Sequence, residues 1–449
     1  MSDGLNSFLF STPEMTRVFS AQERLRAMMR FEWALTRALE IHGLAEAGSG
    51  AALESLLDAS FVDLQRLTHE AKDAGNIVIP FVKQLTATVK TREERSAWAI
   101  HLGATSQDVL DTALVLQMRE GVGLLEVAIA RLDAALEKQV RAHRTTLMTG
   151  RTWLQAGPPI TLGLKLAGTL AAVRRHRERI AAAAGRALVL EFGGAVGTLA
   201  ALSDAGGRVS AELARILALR QPDLPWHAQR DGFVEMVEVL ANLTGSLAKF
   251  ARDVALLMQT EVGEVSEAEG DARGGSSTMP HKHNPVACAS VIAANGRMPG
   301  LVMTLLSSMP QEHERGLGLW QAEWETVPEA FRLASAALAY AVEIAEGLVI
   351  DAERARANFD ALLGISMAEA VSAALVAQIG RSTAHDLLRT ASKRALEEKR
   401  HLGEVLKSMP EVSAHLGPEE VDRLMDPCAY LGSTQRFIAQ VLGESNAGG

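Results

Sequence analysis

The stretch GGSSTMPHKHNP, residues 274–285, places hydroxyl, amine and amide groups beside glycines and prolines that break regular structure. Ser276 and Ser277 offer hydroxyls for hydrogen bonding and proton transfer, and their glycine neighbours let the backbone approach a ligand closely. Lys282 and Asn284 come just before Pro285, a residue suited to the first turn of a helix. A flexible Ser/Gly linker would explain the glycines but not the MPHKHNP that follows. The stretch therefore predicts a ligand-binding loop at the start of a helix.

A second polar cluster, HLGATSQD at residues 101–108, immediately precedes a long helical pattern. Thr105 or Ser106 is suited to cap that helix, because a side-chain oxygen can accept one of the free N–H groups of the first turn. The same N–H groups and the helix dipole also favour a bound anion. Helix capping and anion binding both stay open from this stretch alone.

The third cluster, GRTWLQ at residues 150–155, contains Arg151, whose guanidinium can hold a carboxylate through two hydrogen bonds. Taken alone, it is more readily a solvated surface arginine. Spacings such as CxxC and HExxH are absent, and His281 and His283 are only two residues apart. No metal site is therefore expected.

Long helices are the elements that must position these clusters. Aromatic residues make up only 4% of the chain, and Ala and Leu, which favour helices, dominate it. Apolar residues recur every three or four positions and lie on more than one side, so each helix needs several neighbours. No alternating pattern predicts a series of strands. The predicted long helices are 106–143, Pro158–Ala184, Asp231–Val262, Pro285–Ser308 and Val327–Ile350.

These patterns predict an all-α fold in which the five long helices form a central bundle. Residues 105–350 are predicted to form this bundle together with the polar clusters. Shorter helical patterns predict an N-terminal domain over 1–104 and a C-terminal domain over 351–449.

Composition excludes several classes of partner. The net charge of −9 argues against nucleic-acid binding, which favours a basic surface. No apolar run approaches the ~20 residues of a membrane span, and the N-terminus lacks the pattern of a signal peptide. The two cysteines, Cys288 and Cys428, are expected to be free thiols in a reducing compartment. A cytoplasmic protein without nucleic-acid or membrane partners is expected.

The three clusters, in this order and spacing, resemble the three signature regions of the fumarase/aspartase superfamily. The resemblance covers the whole chain. It implies three helical domains and a homotetramer with a twenty-helix core. It also implies active sites that combine the three signatures from different subunits, and no cofactor is expected. Members of this superfamily make or break a bond β to a carboxylate through an enolate-like intermediate.

The resemblance also implies roles for individual residues. Ser276 matches the serine that usually handles the α-proton, and Lys282 matches the lysine that steadies developing negative charge. Either of them could transfer the proton. A small polycarboxylate is the expected substrate. Its binding residues are expected to be His101, Thr105, Ser106, Arg151, Trp153, Gln155, Ser277, Asn284 and Arg315.

Two departures from the superfamily pattern narrow the expected chemistry. Trp153 replaces the histidine that helps to protonate the leaving group, and Ala289 replaces the glutamate that pairs with it. A departing hydroxide or amine needs a proton, but a carboxylate does not, because its conjugate acid has a pKa near 4. The paired absence therefore predicts the closing or opening of a lactone. Trp153 would fill the histidine's volume and exclude water.

Three alternatives remain open. The first is a lyase of the same fold that acts on adenylosuccinate or argininosuccinate, against which Trp324 also weighs, since it stands where a phosphate-binding arginine is expected. The second is the same ring closure on an analogue in which a sulfonate replaces a carboxylate. The third is a structural protein that kept the fold without the activity.

Overall fold

The computed structural model describes residues 6–268, 274–275, 279 and 282–444. Within them the chain is predominantly α-helical, as predicted, with five helices of 23 to 37 residues. These long helices are α6 (Ser106–Ala142), α7 (Leu162–Ala187), α9 (Asp231–Leu257), α10 (Val286–Ser308) and α11 (Leu319–Gly347).

Shorter elements complete the fold. The other α-helices are α1 (Pro13–Val18), α2 (Ala21–Ile41), α3 (Ser49–Glu54), α4 (Leu64–Ala74), α5 (Val78–Arg92), α8 (Gly206–Leu217), α12 (Ala352–Asp360), α13 (Ala368–Ile379), α14 (Arg381–Glu398), α15 (Leu402–Lys407), α16 (Pro410–Ser413), α17 (Pro418–Leu424) and α18 (Thr434–Leu442). Short 3₁₀ helices lie at Ser7–Leu9, Glu94–Ala99, Gly194–Val196, Ala200–Ala205, Ile365–Met367 and Pro427–Tyr430. The strands are β1 (Leu147–Thr152), β2 (Gln155–Thr161), β3 (Val265–Ser266) and β4 (Val349–Ile350).

The chain divides into two compact units, and the divisions fall inside the long helices. Unit 1 comprises 1–129, 175–245 and 290–339. Its core packs α2, α5 and α8 around the first half of α6, with buried side chains such as Phe31, Phe81 and Leu213. The helix α2 begins where the Ser20 hydroxyl accepts the N–H of Glu23, and it buries one apolar stripe in this core.

Unit 2 comprises 130–174, 246–289 and 340–449. Its core gathers α12 to α17 with the start of β1, and Leu375, Leu388 and Leu406 are among its buried side chains. The strands β1 and β2 form an antiparallel hairpin, and β3 pairs with β4. The domain bounds at 104/105 and 350/351 stay a prediction.

Three details of the sequence prediction were wrong. Residues 147–161 form a hairpin and not a simple break, so α7 begins at Leu162 and not at Pro158. The helix α11 begins at Leu319, eight residues before the predicted Val327, and continues through Pro328. The helix α9 ends at Leu257 rather than at Val262. The start of α6 at Ser106 and the end of α10 at Ser308 are confirmed.

Among the described residues, one helix, α10, is long and apolar enough to cross a membrane by length and composition alone. Only 33% of its most apolar window is buried within a single chain. Met303 and Leu306 are among its exposed side chains. This helix therefore presents an apolar surface that the described residues of its own chain leave exposed.

Candidate active site

The helix α6 begins at Ser106, as predicted, but the capping bond that the structure shows uses the carboxylate of Asp108 and not the expected side-chain oxygen of Thr105 or Ser106. The backbone N–H of Thr105 donates to Oδ2 of Asp108 at 2.8 Å. A carboxylate in the first turn of the helix therefore accepts the N–H of the residue that precedes the helix. This anion also complements the positive end of the helix dipole. Thr105 and Ser106 are both partly buried.

Arg315 lies next to Thr105 in unit 1. Its Nη1 donates to the Thr105 hydroxyl oxygen at 2.7 Å, and its Nη2 donates to the carbonyl of Ala195. The Thr105 hydroxyl keeps its own proton for donation. The structure therefore brings together two of the predicted substrate-binding residues, one cationic and one a hydroxyl donor.

His101 is held in this region by a buried carboxylate. Glu32 is fully buried; its Oε2 accepts the backbone N–H of His101 at 3.0 Å, and its Oε1 lies 2.7 Å from the ring Nδ1. Burial alone would lower the pKa of His101, but the charge and hydrogen bond of Glu32 outweigh it, and this pKa is raised above its ordinary value. The backbone of His101 adopts φ +60°, a left-handed conformation that is uncommon outside glycine. Glu32 thus fixes the position of His101 and favours its protonated form.

Asp108 extends this arrangement into the interior. Besides Thr105, it accepts the N–H groups of Gly193 at 2.9 Å and Gly194 at 3.0 Å, and its Oδ1 lies 2.7 Å from Nε2 of His227. Nε2 of His227 also lies 3.2 Å from Oε1 of Glu191. One buried carboxylate therefore ties the start of α6 to the loop that carries Ala195, the partner of Arg315.

Asp108, Glu191 and His227 are close enough to hold a metal ion, but their chemistry does not favour one. The oxygens of Asp108 already accept three backbone N–H groups. Burial, followed by the charges of Asp111 and Asp108, raises the pKa of Glu191 to about 9. The other oxygen of Glu191 accepts the backbone N–H of Trp226 at 2.7 Å, so Asp108 and Glu191 are both engaged by backbone donors of the chain.

A second buried network lies one helical turn further along α6. The guanidinium of Arg230 donates from Nη1 to Asp111 at 2.7 Å and from Nε to Glu323 at 2.9 Å. The indole N–H of Trp320 donates to Asp111 at 3.0 Å. Burial would lower the pKa of Arg230, but the charges of Asp111 and Glu323 raise it above its ordinary value. This cation stays charged and joins α6, α9 and α11 within unit 1.

In unit 2 the hairpin β1–β2 presents the GRTWLQ motif. Trp153 and Leu154 form its two-residue turn with φ +54° and +62°. Turns of this kind usually contain Asn and Gly, because both residues need positive φ. Trp153 is 97% exposed and Gln155 is exposed. A Cβ at Gly150 would lie 2.5 Å from the carbonyl oxygen of Pro158, so glycine is required where the hairpin register shifts.

Arg151 lies at the base of this turn, and its guanidinium is bound by a carboxylate of the same chain. Its Nη1 and Nη2 donate to the two carboxylate oxygens of Glu264 at 3.0 Å and 2.5 Å. Glu264 is 1% exposed and also accepts from Nδ2 of Asn358 at 2.9 Å. The carboxylate that Arg151 binds in this structure is therefore one of the chain's own.

Ser276 and Ser277, the predicted proton-transfer and binding serines, lie outside the described residues. Lys282 is exposed. Asn284 is partly buried, and its backbone N–H and side-chain amide both donate to the carbonyl of Gly274, at 2.8 Å and 3.0 Å. Ala289 is exposed on the first turns of α10. Asn284 therefore closes the base of the GGSS loop.

Sequence reasoning missed the buried polar residues that hold these elements. They come from segments far apart in the chain, so no local motif predicts them. One local signal was available: acidic residues inside otherwise apolar stretches, which are rarely buried unless they are paired. These residues are Glu32, Asp108, Asp111, Glu191, His227, Arg230, Glu264, Glu267 and Glu323.

Comparison with known proteins places this architecture in a family. The sequence profile of a family described as lyase matches residues 7–300, and that of the adenylosuccinate lyase C-terminus matches residues 364–441. The chain therefore belongs to this lyase family, the fumarase/aspartase superfamily that its three motifs resemble.

Several of its similar relatives within that family share one name. The 3-carboxy-cis,cis-muconate cycloisomerase of Pseudomonas aeruginosa is 49% identical over 438 residues, which cover 98% of this chain and 95% of that protein. The protein of the same name from Bradyrhizobium diazoefficiens is 44% identical over 445 residues, 98% of this chain and 99% of that protein. The crystal structure of the 3-carboxy-cis,cis-muconate lactonizing enzyme from Pseudomonas putida matches with a TM-score of 0.92 and 47% identity over 98% of both chains.

Proposed function

We propose that this protein is an intramolecular lyase that interconverts 3-carboxy-cis,cis-muconate and 4-carboxymuconolactone, a step of protocatechuate degradation by the β-ketoadipate route. The observation that carries the proposal is the joint replacement of the histidine–glutamate pair by Trp153 and Ala289. The relatives that share nearly the whole chain support the same substrate.

The reaction adds a substrate carboxylate to an internal double bond of the same molecule. Negative charge then develops on the carboxylate next to the carbon that receives the proton. Cationic and hydrogen-bonding groups aimed at that charge supply most of the acceleration. Lys282 steadies the charge, and Ser276 or Lys282 delivers the proton. The ring oxygen is a carboxylate oxygen, so it needs no acid when the ring reopens.

The three carboxylates of the substrate need a locally positive site on a protein of net charge −9. The pair of Arg315 and Thr105 provides a cation beside a hydroxyl donor, and the His101 ring, held by Glu32, adds a further hydrogen-bonding group. Gln155 adds an amide. Ser106, Ser277 and Asn284 complete the proposed set of binding residues.

We also propose a cytoplasmic homotetramer whose active sites combine signatures of different subunits. The uncovered apolar side chains of α10 and the exposed Trp153 support this assembly, because both remain in water in a single chain. Trp153 can exclude water from a substrate only where another chain covers it. Light scattering after gel filtration measures the assembly, and a monomeric active protein would contradict it.

Substrate turnover tests the central proposal. Purified protein is mixed in turn with 3-carboxymuconate, 3-sulfomuconate, fumarate and adenylosuccinate, and the ultraviolet absorbance of each is followed. We expect rapid loss of 3-carboxymuconate and no turnover of fumarate or adenylosuccinate. A preference for 3-sulfomuconate would reassign the substrate, and release of water or an amine from the other two would make the protein a lyase of the ordinary kind. No turnover of any compound would favour a structural role.

Two variants test the mechanism. Ser276→Ala is expected to lower kcat by about 100-fold or more if Ser276 moves the proton. Unchanged turnover in a folded tetramer would leave Lys282 as the donor. The double variant Trp153→His with Ala289→Glu restores the missing pair, and we expect it to lose cyclisation. Gain of fumarase-like activity without that loss would contradict the account given for the missing pair.

A further inference from the structure

The segment Glu264–Glu267, sequence EVSE, carries two carboxylates that are nearly absent from the protein surface. Glu264 is 1% exposed and Glu267 is 6% exposed. A carboxylate is seldom buried so deeply without partners that offset its lost hydration. The partners of these two carboxylates belong to different elements of unit 2: the hairpin, which carries predicted site residues, and the start of α10, which directly follows two of them.

Glu264 binds the hairpin. Both of its oxygens accept from Arg151, and Asn358 of α12 donates to the same carboxylate. The end of the Arg151 guanidinium formed by its two terminal nitrogens is therefore occupied by Glu264 in this arrangement. The ion pair fixes the base of the turn that presents Trp153 and Gln155.

Glu267 binds the start of α10. Its Oε2 accepts the N–H of Ala287 at 3.2 Å, and its Oε1 accepts that of Cys288 at 2.9 Å. A carboxylate in this position satisfies free donors of the first turn and complements the helix dipole. Burial, with the adjacent Glu267 carboxylate, also raises the pKa of the Cys288 thiol, which stays neutral. The residues that lead directly into this turn include Lys282 and Asn284.

The short strand between the two glutamates keeps them in register. Val265 and Ser266 pair with Ile350 and Val349, and the N–H of Asp351 donates to the carbonyl of Glu264 at 3.0 Å. Glu264 and Glu267 flank this two-residue strand, and their partners lie on different elements, Arg151 for Glu264 and Cys288 for Glu267. One carboxylate can therefore hold the hairpin while the other holds the helix.

We propose that Glu264–Glu267 is a brace that sets the position of the hairpin and of the start of α10 for catalysis, and that Arg151 is a positioning residue acting through Glu264 rather than a ligand of the substrate. This inference rests on the proposed cycloisomerase function. It revises the role that the GRTWLQ motif suggested for Arg151.

A double-mutant cycle between Arg151 and Glu264 tests the brace. Arg151→Met, Glu264→Met and the double variant are compared for kcat, KM and melting temperature with 3-carboxymuconate. Since small displacements of catalytic groups cost about 100-fold in rate, we expect each variant, including the double, to lose about 100-fold in kcat. The double variant should melt above Arg151→Met, because no buried carboxylate is left unpaired. Additive losses, or a loss confined to KM in Arg151→Met alone, would show that Arg151 binds substrate directly and would overturn the proposal.

Control variants separate positioning from stability. Arg356→Met removes an arginine from an exposed ion pair with Asp360 in the same unit, and its kcat should stay within about twofold of the wild type. Arg151→Lys should recover only part of the rate, because an ammonium cannot form the two-bond fork. If Arg151→Met lowered the melting temperature but left kcat unchanged, the ion pair of Arg151 and Glu264 would contribute only to stability. That result would overturn the proposal.

Hydrogen exchange gives a readout that does not depend on turnover. We expect faster exchange over 147–161 in Glu264→Met and over 286–290 in Glu267→Ala. If the wild type fails to turn over 3-carboxymuconate, the proposed function fails while this measurement still tests the brace. Unchanged exchange in both segments would overturn the brace even in an active enzyme.

Discussion

The N-termini of α6 and α10 are both held by buried carboxylates, but the two carboxylates come from different places in the chain. Asp108 belongs to the first turn of α6 itself, accepts three backbone N–H groups and contacts His227. Glu267 lies 20 residues before the Ala287 N–H that it accepts, and the GGSS loop runs between them. The donor and acceptor at the first helix start are therefore three residues apart in the chain, whereas those at the second are 20 and 21 residues apart.

The surroundings of the two helix starts differ in the same way. Asp108 has the Arg230 network one turn away, where three elements share a single buried cation. Glu267 has the short β3–β4 pair and Glu264 beside it. A densely cross-linked support suits groups that must stay fixed, such as Thr105 and His101. The start of α10 follows the segment that is proposed to transfer the proton, and it depends instead on a carboxylate 20 residues earlier in the chain.

The largest expected effect comes from breaking the network of unit 1. Arg230→Met leaves Asp111 and Glu323 buried without their cation and should lower the free energy of unfolding by about 3–5 kcal/mol. Urea denaturation at a fixed protein concentration measures this loss. Arg186→Met, which removes an exposed pair with Glu235, is the matched control and should leave the curve unchanged. Similar curves for both variants would mean that the buried network adds nothing to stability.

A matched pair of truncations tests the two helix starts directly. Asp108→Ala leaves three backbone N–H groups without their acceptor, and Glu267→Ala leaves two. We expect losses in the free energy of unfolding of about 3 kcal/mol and about 1–2 kcal/mol, respectively. Both should lower kcat. Equal losses, or a larger loss at Glu267, would show that the number of backbone N–H groups left without an acceptor does not set the loss.

Glu191 makes the stability of unit 1 dependent on pH. Its pKa is raised from an ordinary 4.5 to about 9, so the folded state holds a proton that the unfolded state releases. Stability from this residue is complete below about pH 4.5 and is lost as pH rises towards 9, at about 1.4 kcal/mol per pH unit. The groups facing it are Asp108, Asp111, His227, Arg230 and the N–H of Trp226.

Glu191→Gln removes this titration. Unfolding free energies measured from pH 6 to 9 should fall less steeply in the variant than in the wild type, and the variant should be the more stable protein near pH 9. Parallel curves would show that Glu191 is ionised in the folded protein.

The smallest effect on activity is expected from a substitution of Thr105, a proposed substrate-binding residue in unit 1. Thr105→Val removes the hydroxyl that contacts Arg315 and keeps the shape of the side chain. Loss of one hydrogen bond to a charged group corresponds to about 1.5 kcal/mol, so KM should rise roughly 10-fold with a small change in kcat. An unchanged KM would remove Thr105 from the set of substrate-binding residues.

The sequence predicted the parts of this molecule that follow local rules. The start of α6 could be predicted because Thr105 and Ser106 precede a long apolar repeat. The beginning of α11 could not, because its first turns carry the two tryptophans and a glutamate that pack into the network around Asp111. Tertiary contacts, and not helix propensity, extend that helix.

The hairpin shows a second kind of limit. GRTWLQAGPP contains the glycine and prolines of a loop, and its turn uses Trp153 and Leu154 where Asn and Gly are usual. The pairing of Arg151 with Glu264 joins residues 113 positions apart, a contact that no local pattern encodes. Side-chain types could therefore nominate Arg151 for carboxylate binding, but only the fold shows which carboxylate it meets.

The exposure of Trp153 gives the protein an optical probe of its own. Trp153 is almost completely surrounded by water in the single chain, whereas Trp320 is buried and donates to Asp111. Acrylamide should therefore quench Trp153 far more readily than Trp320. Trp98 is also 54% exposed, so the measurement uses a Trp98→Phe variant. In that variant, the fraction of fluorescence that escapes quenching, followed on dilution or on adding ligand, would report whether another surface covers the hairpin tip.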